Sequence, residues 1–411
     1  MRIVNVVQRF HPAVGGSENQ VRLISTELVR RGRHVTVLTT SSMSSMDILS
    51  LTHLPERGLT LASREIVDGV EVHRYRAWFR LYGFLFTPPM LKLLRIKADL
   101  IHAYGFYVTT SLAAGLAAKI RRIPFVLTAN DADVGLLASF WERLCGKLYA
   151  MTFGRLLVAC ADRIIAVSEV NRDDIVRKLG VKADKVTVVP NGLDFEVFDR
   201  EVDANEFKKK HGLDGPLILF VGRITKHKGI QFLIEAAPSI LREFPKARFM
   251  IVGEDYGYLD SLVGMVEKLG IRDRVTFLSR LSEEEIVQAY KSADIFVLPS
   301  TLEAFGLVVV EAMASGTPVI ASNYGGIRCL VQDGVNGLLF EVGEVSDLAS
   351  KILLLLENQD LRRLLARKAH LQAEERYSIQ RAIDELLAVY AKLQRAVDSS
   401  APLRPELPTE A

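Results

Sequence analysis

Residues 215–236 read GPLILFVGRITKHKGIQFLIEA: five apolar residues between Pro216 and Gly222, a polar loop, a glycine, then helix periodicity. An apolar run with no alternation is expected of a strand covered on both faces, and hence of a parallel sheet flanked by helices. The unit recurs on either side. Downstream, RFMIVG (248–253), RVTFLS (274–279), DIFVLPS (294–300) and PVIAS (318–322) are each followed by a helical stretch. Upstream, RIVNVV (2–7), HVTVLTT (34–40), VEVHRY (70–75), DLIHAY (99–104), PFVLTA (124–129), RIIAVS (163–168) and KVTVVP (185–190) make a separate series. Residues 17–31, 108–120 and 169–179 suit its crossover helices.

Between the two series lies a polar stretch near 191–215, rich in Asp, Lys and Gly. The pattern predicts an α/β chain of two Rossmann-like, doubly wound parallel-sheet domains, residues 1–191 and 192–377. An amphipathic helix over 378–396 is expected to pack back on the first domain, ahead of a disordered tail at 397–411.

Bulk composition is that of an ordinary globular protein, with 49% apolar and 25% charged residues among 411. Three scattered cysteines, Cys145, Cys160 and Cys329, have no metal-ligand spacing and suit a reducing cytosol. The start, MRIVNVVQRF, is too polar after Val7 for a secretory signal and reads as a first strand. Charge is uneven. Residues 1–200 carry 27 Lys+Arg against 19 Asp+Glu, and residues 201–411 carry 25 against 30. A basic first half without any nucleic-acid-binding motif favours a membrane surface over nucleic acid.

In open parallel sheets ligands bind beyond the carboxyl ends of the strands, so the strand-to-helix loops carry the chemistry. After the first strand, Gly15 and Gly16 allow backbone to approach a ligand. Ser17 with Gln20 forms a capping-box pattern, and the helix start offers N–H groups to an anion. In the quoted unit, Arg223 supplies a planar fork and Lys228 a mobile charge, the pair a diphosphate needs. After DIFVLPS comes TLEAFGLVVVEAMA (301–314). There Gly306 permits the turn into a helix starting at Leu307, and Glu311 sits in apolar company, suited to accept hydrogen bonds from the vicinal hydroxyls of a ribose. A carboxylate pairing with a nearby Lys or Arg is the plainer alternative.

Together the segments GRITKHKG, PSTLEAFGLVVVEAMASGTPVIAS and VVPNGLDFEVF resemble the signatures of the family 4 retaining glycosyltransferases of the GT-B fold. The Glu303-to-Glu311 spacing is that family's, HPAVGGSE resembles its first glycine loop, and GG followed by DGVNGLLF (325–340) its closing segment. The matches span residues 11–340. The resemblance implies an enzyme that moves a hexose from a nucleotide-diphosphate sugar to a glycan or lipid-linked acceptor, with retention; the cysteine pattern and the basic first half add the expectation of a cytoplasmic location, peripheral on the inner face of the membrane. The resemblance also implies Arg223 and Lys228 on the leaving diphosphate and Glu303 on the transferred sugar, these three being the catalytic set. Glu311 would hold the ribose, and Phe305, Gly306 and Leu307 would lie along the donor. Gly15 and Gly16 would close over the phosphates, and the base would lie against residues 279–281, Arg280 included. No metal and no cofactor beyond the donor are implied. Asn130 stands where the family has a histidine, and Cys329 where it has a glutamate.

Weaker signals remain. His102 is read as a strand-end residue facing the cleft and, with Asn130, marks the acceptor side. Asp131-Ala132-Asp133 matches a short metal-binding pattern that arises often by chance. Residues 72–97 interleave Arg74, Arg76 and Arg80 with Trp78, Phe79, Tyr82, Phe84 and Phe86, and are expected to dock on anionic lipid. The apolar stretch 136–160 is read as mostly core. The rival readings are a nucleotide-sugar epimerase or hydrolase, a glycosidase using Glu303 and Glu311, and a non-catalytic nucleotide-sugar-binding protein.

Overall fold

A computed structural model describes residues 1–13, 15–42, 61–76, 79–81, 84–130 and 140–400. Two sheets organise the chain. The strands of its first half are β1 (Arg2–Val6), β2 (His34–Thr40), β3 (Arg64–Val67), β4 (Val70–Tyr75), β5 (Phe79–Leu81), β6 (Phe84–Phe86), β7 (Leu100–Tyr104), β8 (Phe125–Thr128), β9 (Arg163–Ala166) and β10 (Val186–Val188). Eight of them form one sheet in the order β10-β9-β8-β7-β1-β2-β4-β3, and β5 pairs only with β6. The second half supplies β11 (Leu217–Val221), β12 (Arg248–Val252), β13 (Val275–Leu278), β14 (Ile295–Leu298), β15 (Val319–Ser322) and β16 (Leu338–Phe340). These form a parallel sheet in the order β13-β12-β11-β14-β15-β16.

In both sheets strand order reverses beside the first strand, between β1 and β7 and between β11 and β14. Adjacent crossover loops diverge at such a point and leave a crevice at the strands' carboxyl ends. All five residues of β11 are buried, as the unbroken apolar run requires. β3 was not foreseen. It is an antiparallel edge strand, four residues long, with alternating exposure.

The final helix, Ile379–Ser400, turns back to the first sheet. Ile379, Ile383, Leu386, Val389 and Tyr390 join the apolar cluster of β1, β2, β4 and the Gly16–Arg30 helix. Burying five such side chains contributes roughly 10 kcal/mol, since each is worth about 1.5–3 kcal/mol. The crossing is fixed where Leu193 N–H donates to Tyr377 O (2.7 Å) and Ile379 N–H to Leu193 O (2.9 Å).

Two expectations change. Arg74 is no lipid-facing cation, because its side chain is 2% exposed and pairs with Glu65 at 2.6 Å. Trp78 and Tyr82 of the same segment lie outside the described residues. Nor is 136–160 mostly core. From Phe140 onward it forms helices with a π-turn at Ala150–Gly154, and Leu144, Leu148, Met151, Phe153 and Leu156 are exposed.

Candidate functional site

The loops after β11 and β14 meet at the second reversal point. Gly229 (φ 70°) lies so close to Pro299 that an added Cβ would stand 1.8 Å from the Pro299 carbonyl oxygen. Thr301 donates its N–H (2.8 Å) and its hydroxyl (3.1 Å) to the His227 carbonyl. This lacing places Lys228, on a short 3-10 turn at Lys226–Lys228, against Glu303: Nζ to Oε2 is 2.5 Å, with the side chains 11% and 16% exposed. The charges are thus shielded enough to interact strongly and open enough to meet a ligand.

Arg223 is exposed, and its guanidinium lies over the Tyr256 ring, 5.6 Å from the centroid. Tyr256 is itself fixed, because Asp255 accepts the N–H groups of Gly257, Tyr258 and Leu259 at 2.9–3.0 Å. Between the two cations sits His227, pushed down to about 4 by burial first and then by Lys228 and Arg223. His227 was not singled out in the sequence; its neighbours in KHK gave no hint that it would be the half-buried one.

Beyond Glu303, Phe305 is buried edge-on to Tyr377, ring centroids 5.6 Å apart, so its side chain belongs to the core and only its backbone faces the loop. Gly306 (φ 101°) caps the Leu307–Ala314 helix in the left-handed region, where a side chain would be strained. One turn in, Glu311 accepts a hydrogen bond from the Tyr290 hydroxyl at 2.8 Å. Burial raises its carboxyl above the usual range, and the tyrosine opposes this. The partner is therefore neither Lys nor Arg. Tyr290, 21 residues away on the Glu283–Ser292 helix, carried no signal of this role. Arg280, after β13, is exposed and pairs with Glu254 at 2.8 Å.

A second glycine pair closes the loop from behind. A Cβ on Gly325 would meet the Glu303 carbonyl at 2.3 Å, and one on Gly326 the Ala304 carbonyl at 2.0 Å. Gly326 N–H donates to Glu303 O at 2.9 Å. Cys329, on the Ile327–Leu330 helix that follows, is half-buried, and its carbonyl accepts from the Tyr377 hydroxyl.

From the first domain, Gly16 faces this loop, its Cβ position 3.7 Å from the Leu307 side chain. Ser168 reaches across to donate to Ala304 O at 3.0 Å. The expected capping box is absent. Gly15 is the helix cap, Gln20 pairs through its amide with the N–H and carbonyl of Gly192, and Ser17 accepts from the Asn130 amide at 3.0 Å. Glu18 lies 2.3 Å from where a Gly15 Cβ would be and pairs with Arg9 at 2.6 Å. Asp131 and Asp133 lie outside the described residues.

His102 does not face the cleft from a strand end. It is 1% exposed within β7, with ring nitrogens 2.6 Å from the Tyr390 hydroxyl and 2.8 Å from Thr128 Oγ1. Burial pushes it down to about 3. The unfolded chain therefore takes a proton first, so stability is full above about pH 6.5 and falls as pH drops toward 3. At pH 5 this residue alone costs about 2 kcal/mol relative to neutrality. A His102→Gln variant should show a shallower fall in melting temperature between pH 7 and pH 5; an unchanged slope would assign the acid sensitivity elsewhere.

Compared with known proteins, residues 201–372 match the model for glycosyl transferases group 1, and residues 14–197 the model for Glycosyltransferase Family 4. An uncharacterized glycosyltransferase of Methanocaldococcus jannaschii is 30% identical over 404 residues, covering 95% of this chain and 98% of its own. The D-inositol 3-phosphate glycosyltransferase of Actinosynnema mirum is 36% identical over 305 residues, 72% of each chain. Among solved structures, HepE of Anabaena in complex with UDP and glucose superposes with a TM-score of 0.78 at 22% identity, over 95% of this chain and all of that one.

Proposed function

The chain belongs to the glycosyltransferases of the GT-B fold related to group 1 and family 4, and on that premise we propose that it transfers a hexose from a nucleoside-diphosphate sugar, with retention, to an acceptor held by the first domain. The observation that carries this reading is Lys228 held against Glu303 beside the Gly306 helix start, with Arg223 on the same strand-end loop, at the point where the second sheet's strand order reverses. As the bond between sugar and diphosphate breaks, negative charge grows on the departing oxygen and the anomeric carbon becomes cation-like. Lys228, Arg223 and the N–H groups at Gly306 and Leu307 stabilise that oxygen, already oriented before the reaction begins. Glu303 orients Lys228 and faces the sugar. Retention follows if the acceptor attacks on the face the diphosphate leaves, its proton passing to a phosphate oxygen, so that no protein base is needed.

Glu311 holds the ribose hydroxyls in this reading. Glu311→Ala should weaken binding of a ribonucleoside diphosphate by roughly tenfold, the worth of one hydrogen bond to a charged group. It should leave a 2′,3′-dideoxy analogue, which lacks both hydroxyls, bound about as before. Calorimetry on both ligands decides; an equal loss for each would remove Glu311 from the ribose.

The whole proposal is tested by incubating the chain with uridine, guanosine and adenosine diphosphate sugars and an acceptor panel, then reading the anomeric configuration of any product by NMR. The inositol phosphate in the Actinosynnema relative's name belongs in that panel. Inverted product would refute retention. Epimerised or freed sugar alone would favour the epimerase or hydrolase reading, and binding without turnover a non-catalytic one.

A further inference from the structure

Apart from the cleft, the first domain turns an apolar stripe toward solvent. Leu144, Leu148 and Met151 follow one another at helical spacing, 38%, 53% and 58% exposed. In an unbroken α-helix Leu156 would lie roughly 120° around from Leu144. The π-turn at Ala150–Gly154 takes one residue more than an α-turn, resetting the phase by roughly 100° and returning Leu156 to the stripe. The Thr109–Arg121 helix packs alongside through Gly115, close against Leu157 and Cys160, and adds Leu116 and Ile120, the latter 71% exposed. The 3-10 segment Pro88–Arg95 also packs on that helix, tied to it by Arg121, which donates to the carbonyls of Leu93 and Ile96.

The rim of this patch is cationic. Lys92, Arg95, Lys119, Arg122, Lys147 and Arg155 are exposed, and among the described residues none of them makes an ion pair. Across residues 88–160 nine Lys and Arg stand against four Asp and Glu. Apolar side chains ringed by cations suit an anionic lipid surface, with the hydrocarbon at acyl depth and the charges at the headgroups. A second copy suits it poorly, because a two-fold contact would set like charges against each other. No helix among the described residues is long and apolar enough to span a bilayer.

We propose that the face formed by the Thr109–Arg121 helix and residues 144–156 docks the protein on anionic membrane, lying in the interface rather than crossing it. The inference does not depend on the donor chemistry. The full chain is sedimented with vesicles of phosphatidylcholine mixed with phosphatidylglycerol, and with phosphatidylcholine alone. Binding is expected to the mixed vesicles only and to weaken with salt. Leu148→Glu/Met151→Glu and, separately, Lys147→Glu/Arg155→Glu should each lower the bound fraction at least about tenfold. Melting temperature and nucleoside-diphosphate affinity should stay put, since neither pair touches the core or the second domain. Binding indifferent to both pairs of substitutions, or to no vesicle at all, overturns the proposal. So does a chromatographic dimer that the leucine–methionine variant dissolves while vesicle binding is absent, which would give the face to a second copy.

Discussion

Replacing Arg223 and Lys228 together by alanine should lower kcat/KM for the sugar donor by roughly 10⁴-fold, since each fixed donor aimed at a departing oxyanion is worth about 10²–10³-fold and neighbours fall short of additivity. The two residues should differ in side effects. Arg223 is exposed and rests on Tyr256, so its loss should leave the melting temperature nearly unchanged. Lys228 neutralises Glu303 in a half-sheltered site, and removing it strands a carboxylate, which for such pairs costs up to about 3–5 kcal/mol. A Lys228→Met/Glu303→Gln double variant should recover stability without recovering turnover. Full activity in the arginine–lysine variant would take the leaving group out of this loop.

The second large effect is expected at a glycine that touches no substrate. Gly326→Ala puts a methyl 2.0 Å from the Ala304 carbonyl oxygen and 2.8 Å from Phe305 N, both backbone atoms that cannot swing aside as a side chain would. The loop carrying Glu303 must move, and with it the partner that orients Lys228. A displacement of about 1 Å at a reacting centre costs about 10²-fold. Overpacking of this kind also costs about 1–3 kcal/mol. Turnover should fall about a hundredfold in a protein that still folds; single-turnover kinetics beside a melting curve would show it. Ordinary turnover with lowered stability alone would mean that the Glu303 loop does not set the geometry of the reaction.

What the sequence disclosed depended on how local the cause was. Strands such as LILFV at 217–221 announce themselves because both faces are covered, and the run alone says so. Loop glycines and cations at strand ends are equally local, and Lys228 and Gly306, read that way, both prove to neighbour Glu303. The edge strand at Arg64–Val67 escaped because Arg-Glu-Ile-Val shows no alternation of polar and apolar residues, and so short a run looks like any loop. His102 was misjudged because its partner, Tyr390, is 288 residues away on a helix whose destination no short-range pattern gives. Gln20 looked like a capping residue but instead reaches Gly192 across the domain. The apolar stretch at 136–160 passed for core, since hydrophobicity does not record which way a helix is turned, and a π-turn changed its phase midway.

The chain passes between its two sheets twice, at Leu193 and at Ser378, and these passages run parallel and hydrogen-bonded to each other. Two crossings hydrogen-bonded side by side act as one connection, so neither shifts along its length without carrying the other. Ser168 on Ala304 is a separate polar tie between loops of the two sheets. Any widening of the gap between these loops must break that hydrogen bond before it strains the paired crossings.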